Sequence, residues 1–187
     1  TGHIVGMEAL LRWKHKEFGV VPPGIFIPWL EMEPCFFELG NWIIEQALTD
    51  GMEVHKIRPD FVVNVNISAT QLENHGFRQA VVDILKKTKF PPEYLCIELT
   101  ERCKNMDIAF LKNELEYFRK LGIKIAIDDF GTGNATLNLL TELPIDELKV
   151  DMSFVRGIQE SKPNQVLVQA VVSCAHQLGY KSCIEGV

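Results

Sequence analysis

The chain has 187 residues, 47% of them hydrophobic and 24% charged, which is enough to bury a core and excludes a disordered tail or a collagen-like repeat. Its net charge of -6, from 19 Lys and Arg against 25 Asp and Glu, excludes the basic footprint of a protein that grips long nucleic acid. No stretch approaches the roughly 18 to 20 consecutive apolar residues that cross a bilayer, and Thr1-Gly2-His3-Ile4-Val5 lacks the basic and apolar regions of a signal peptide.

In chain order, a β-branched, apolar run over 4–13 predicts a first strand, and helical spacing through Trp42, Ile43 and Ala47 predicts a helix over 39–50. A strand over 61–67, a helix over 76–88 and a strand over 94–99 follow. Next come a helix over 107–121, strands over 123–127 and 147–150, a helix over 163–178 and a last strand over 180–184. The strands are near-continuous apolar runs, as buried parallel strands are. Strand and helix alternate without a linker, so one α/β domain is expected. Leu121-Gly122 and Leu178-Gly179 each place a glycine after a helix, where a left-handed cap is wanted, before the next strand begins.

Carboxylates close these strands: Glu98 after Ile97, Asp128 and Asp129 after Ile127, Asp151 after Val150 and Glu185 after Ile184, with Glu8 inside the first strand. Acids at the C-terminal ends of parallel strands occupy the face where (β/α) barrels carry their active sites. Asn66 ends the strand 61–67 beside them. Several like charges in one mouth need compensation, and Lys149 supplies one positive charge against six carboxylates. Oxygen donors without thiolate or histidine suit hard cations such as Mg²⁺ or Mn²⁺, and the adjacent Asp128 and Asp129 suggest two ions clamping a phosphoryl group.

The remaining reactive side chains have plainer expectations. The five cysteines (Cys35, Cys96, Cys103, Cys174, Cys183) lack C-x-x-C spacing and are expected as buried free thiols. The five histidines lack zinc-binding spacing and are expected on the surface or in structural roles. Trp42, on a helical apolar face, is expected in the core. Asp129-Phe130-Gly131 matches a kinase tripeptide, but no Gly-rich phosphate loop or H-R-D segment accompanies it.

Taken together, Glu8-Ala9-Leu10-Leu11-Arg12-Trp13, Phe26-Ile27-Pro28, Asn64-Val65-Asn66-Ile67-Ser68-Ala69, Glu98-Leu99-Thr100-Glu101, Asp128-Asp129-Phe130-Gly131-Thr132-Gly133, Leu148-Lys149-Val150-Asp151 and Glu185-Gly186-Val187 make the chain resemble the EAL domain of bacterial cyclic-di-GMP phosphodiesterases. The resemblance covers residues 1–187 and implies a TIM-like (β/α) barrel. It also implies a barrel incomplete at both ends, lacking the family's N-terminal strand and its C-terminal strand and helix. It implies two Mg²⁺ or Mn²⁺ ions, one held by Glu8, Asn66, Glu98 and Asp128 and the second by Asp128, Asp129 and Asp151, with Glu185 completing the shell. Lys149 matches the lysine that orients or deprotonates the attacking water, Glu101 the glutamate that holds the loop after Asp128, and Arg12 the residue that contacts a ligand phosphate.

The implied reaction opens cyclic-di-GMP to linear 5'-pGpG, and the alternative is a receptor that binds the nucleotide without cutting it. Asn134 stands where the family has an aromatic residue. A cytoplasmic domain, homodimerisation and further sensor or signalling domains in a soluble or membrane-anchored parent are also implied by the resemblance.

Overall fold

The computed structural model describes residues 2–100, 103, 106–131 and 138–187. The chain divides into two compact units, residues 1–95 and 96–187.

In the first unit, β1 (Gly6–Ala9) lies parallel to β4 (Val62–Ile67), with Gly6 opposite Val62 and Glu8 opposite Asn64. Along β4 burial alternates strictly: Val63, Val65 and Ile67 are buried while Val62, Asn64 and Asn66 are half-buried. The buried face is covered by α2 (Phe36–His55), which also packs on α4 (Phe77–Thr88). Phe77, Val81 and Ile84 recur at helical spacing and are buried, and Lys86 and Lys87 in the last turn complement the helix dipole. Gly51 allows α2 its close approach, since a Cβ there would stand 2.5 Å from Val63. A short hairpin of β2 (Trp13–His15) and β3 (Gly19–Val21), then α1 (Pro23–Leu30), fill the connection before α2, and α3 (Ala69–Glu73) begins in a capping box of Ser68 and Gln71.

In the second unit, β5 (Leu95–Leu99), β6 (Lys124–Phe130), β7 (Glu147–Val150) and β8 (Lys181–Ile184) lie side by side in that order, all parallel. β5 is buried along its whole length, as expected for a strand covered on both faces. The connecting helices are α5 (Ile108–Lys120), α6 (Asn138–Glu142) and α7 (Lys162–Gln177). Asp107 caps α5 by accepting from Phe110 N, and Leu111, Leu115 and Phe118 form its buried stripe. Gly122 and Gly179 have φ of +93° and +82°, the left-handed caps expected from the sequence. No described helix is long and apolar enough to cross a membrane.

The structure corrects several sequence expectations. The first strand stops at Ala9, and Trp13 belongs to the hairpin, whose three-residue strands are too short for an alternation signal. The helix expected over 39–50 runs from Phe36 to His55. Trp42 is 52% exposed rather than in the core, because helical spacing identifies an apolar stripe without saying what covers it. Of the cysteines, Cys96 and Cys103 are buried and Cys174 and Cys183 half-buried, whereas Cys35, next to the start of α2, is exposed.

Candidate active site

Within the first unit, Glu8 sits at the third position of β1, and Asn66 on β4 donates from Nδ2 to Glu8 Oε1 at 2.6 Å. This bond fixes the carboxylate at the C-terminal end of the parallel pair. Arg12, three residues past β1, is exposed, and its Nη1 donates to Leu11 O at 3.0 Å. Beside it opens an apolar cavity of about 610 Å³ walled by Trp13, Phe26, Trp29 and Trp42.

In the second unit three of the expected acids gather around Lys149. Lys149, on β7, is 3% exposed; it donates to Glu98 Oε2 at 2.9 Å and forms ion pairs with Asp128 Oδ1 at 2.9 Å and Glu185 Oε1 at 2.8 Å. Burial alone pulls its ammonium down, but the hydrogen bond with Glu185 and the charges of Glu98 and Asp128 outweigh it and hold the lysine above its ordinary value.

A register shift between β6 and β7 explains how two consecutive acids serve one site. Ile127 pairs with Leu148 and Phe130 with Val150, so β6 carries one extra residue across the interval. This bulge, with Asp129 in the left-handed region at φ +49°, leaves both aspartates half-buried while Ile127 and Phe130 on either side are buried. Oxygens of Asp128, Asp129 and Glu185 lie within 4.8 Å of one another. Burial, followed by the charges of Asp128 and Asp151, pushes the Asp129 carboxyl up to about 6. Asp151 is held below the usual range chiefly by hydrogen bonding to Ser153, whose backbone N donates to Oδ1 at 2.9 Å.

Among the described residues, three carboxylates thus meet the Lys149 ammonium with Asp129 and Asp151 alongside, and burial, followed by the neighbouring negative charge, raises the proton affinity of Asp129. A donor set made wholly of oxygens with surplus charge fits a hard divalent cation. Asp128, Asp129 and Glu185 are the residues this unit could offer it.

Glu101 and Asn134 lie outside the described residues. The sequence reading overlooked two supporting residues. Ser153 fixes Asp151, and Phe154 packs under Gly131, where a Cβ would stand 2.6 Å from its ring. The spacing Asp151-x-Ser153, a turn in which a carboxylate accepts from the backbone two residues on, is the one available signal for the first.

The family model of the EAL domain matches residues 1–187. The chain belongs to the EAL domain family. It is 34% identical over its whole length to the protein named cyclic di-GMP phosphodiesterase PA2567 of Pseudomonas aeruginosa, of which it spans 32%. Among solved structures it is similar to the PaMucR phosphodiesterase in complex with c-di-GMP, with a TM-score of 0.92, 33% identity, and coverage of 100% of this chain and 76% of the other. It is likewise similar to the EAL enzyme Bd1971 bound to cAMP and cyclic-di-GMP, with a TM-score of 0.90, 35% identity, and coverage of 98% and 51%. The TIM-like α/β barrel expected from the sequence is the fold these EAL neighbours share with it. The chain spans about a third of the length of the curated relatives it matches.

Proposed function

We propose that this EAL domain, residues 1–187, hydrolyses cyclic-di-GMP to linear 5'-pGpG with two Mg²⁺ or Mn²⁺ ions. The observation that carries the reading is the buried Lys149 held among Glu98, Asp128 and Glu185, with Asp129 and Asp151 alongside. Similarity to a named cyclic di-GMP phosphodiesterase and to a c-di-GMP complex supports the substrate.

In this reading Glu8, Asn66, Glu98 and Asp128 hold one ion, Asp128, Asp129 and Asp151 hold the second, and Glu185 completes the shell. Bound divalent ions would lower the pKa of the attacking water and offset charge developing on the phosphoryl oxygens. Lys149 donates to Glu98 and is paired with Asp128 and Glu185, so its part is to hold those carboxylates together and, through an N–H that is not spent on Glu98, to orient the water as a hydrogen-bond donor. Between orienting and deprotonating, an ammonium so engaged offers no lone pair for the second. Arg12, exposed three residues past β1, binds a phosphate of the nucleotide. Glu101 holds the loop that follows Asp128.

The domain works in the cytoplasm, as a homodimer, in a larger protein with sensor or other signalling domains. Relatives of mixed composition support the larger protein, such as the bifunctional diguanylate cyclase/cyclic di-GMP phosphodiesterase MucR, of which the chain spans 27%.

The test is incubation with cyclic-di-GMP and Mg²⁺, Mn²⁺ or chelator, followed by chromatography of the products. Metal-dependent pGpG is expected, and Glu8→Ala should abolish it. Intact nucleotide that nevertheless binds would make the domain a receptor.

A further inference from the structure

Asn64 is the polar side chain of the first unit whose surroundings ask most for an explanation. It lies opposite Glu8 in the parallel register of β1 and β4, so the two side chains leave the same face of the pair as neighbours about 4.8 Å apart along the hydrogen-bonding direction. The alternation along β4 places Asn64 and Asn66 on that face and Val63 and Val65 on the other. Asn66, one pleat nearer the strand's end, grips Glu8 Oε1 directly. The Asn64 oxygen Oδ1 is enclosed and accepts no hydrogen bond among the described residues.

Leaving a buried acceptor unmade is destabilising. Nothing in the strand demands an amide there, since Val63 and Val65 flank it and β-branched side chains suit such a position. Enclosed acceptors of this kind are commonly completed by a fixed water that bonds two or more polar groups. The nearest chemistry in register is the Glu8 carboxylate.

We infer that Asn64 is a positioning residue for Glu8, acting through a fixed water that donates one hydrogen to Asn64 Oδ1 and the other to the Glu8 carboxylate. Glu8 is then held from two sides, by Asn66 directly and by Asn64 through water. A carboxylate restrained in this way gives up less freedom when it takes a cation, which is how outer partners of metal ligands contribute to affinity. The inference rests on the reading of Glu8 as a metal ligand and adds to it a residue outside the metal-ligand set proposed for the site.

The experiment is calorimetric titration with Mn²⁺, without nucleotide, together with thermal unfolding of the metal-free protein. It compares the wild type with Asn64→Val and Asn64→Thr. Valine and threonine share a shape and differ in the hydroxyl that can bond the water.

Asn64→Val should bind Mn²⁺ about 10-fold more weakly while its Tm holds, because a β-branched side chain suits this strand position. Asn64→Thr should recover most of the affinity. Wild-type affinity in Asn64→Val would overturn the inference and leave Asn64 a tolerated polar residue. Equal weakening in both variants would overturn it too, since shape and not hydrogen bonding would be responsible. A wild-type protein that takes up no Mn²⁺ would remove the metal reading of Glu8 itself, a failure distinct from the other two.

Discussion

The two ends of the parallel strands in the second unit both carry carboxylates, and they use them in opposite ways. At the N-terminal end, Asp146 accepts from Arg119 Nη2 and from Ile125 N, each at 2.9 Å. Its own backbone N donates to Ile125 O, and its carbonyl accepts from Lys181 N. One acid meets one guanidinium and stitches three strands together. At the C-terminal end, Glu98, Asp128 and Glu185 share one lysine, and Asp129 and Asp151 stand close enough to act on one another's charge. An acid whose oxygens are matched by donors belongs to stability, and acids in surplus belong to ligand chemistry, in keeping with the division of labour between the faces of (β/α) barrels.

The strongest way to break this contrast is Lys149→Met. It strands Glu98, Asp128 and Glu185 without their shared cation, so unfolding free energy in urea should fall by about 3 to 5 kcal/mol, and turnover should vanish with it. A loss under about 1 kcal/mol would mean that the acids do not depend on the lysine. Asp146→Ala comes next. It should cost about 2 kcal/mol in the same titration by leaving the buried Ile125 N–H unmet, while KM for cyclic-di-GMP in the folded protein stays unchanged. A shift in KM would show that the two ends are not separate in function.

Gly131→Ala sharpens the picture at the site end. With φ at +101° and the Phe154 ring 2.6 Å from the added carbon, it should lower stability by about 1 to 3 kcal/mol and disturb the exit from the aspartate pair. The smallest effect is chemical. Cys35 is exposed, and Cys96 on β5 is buried with its thiol pushed up by burial and then by Glu147. A thiol reagent followed by mass spectrometry should therefore label Cys35 first and reach Cys96 only in denaturant.

Much of this was legible in the chain. Runs such as Ile123 to Ile127 and Glu147 to Val150 have the composition of buried strands, and the acids that end them are visible as soon as the strands are aligned. The glycines after α5 and α7 announced their left-handed caps. What stayed hidden depends on tertiary context. Nothing in Asp128-Asp129 tells a bulge from a straight strand, because the extra residue is defined only by where β7 pairs. Trp42 has the spacing of a core residue, and exposure is decided by what packs against it. Asn64 was open to reading, since Val63-Asn64-Val65-Asn66 puts both amides on one face by alternation alone. Its enclosed oxygen was not.

The bulge in β6 also changes how errors at this site would travel. A strand that alternates can offer an outward-facing acid only at every second residue; the frame shift between Ile127 and Phe130 packs two into consecutive positions. Removing a single residue there, Asp129 for instance, would let β6 relax into plain alternation while Phe130 kept its buried place opposite Val150. One codon is then all that separates a paired-acid site from a single-acid one on an otherwise intact scaffold, so loss of the chemistry need not pass through loss of the fold.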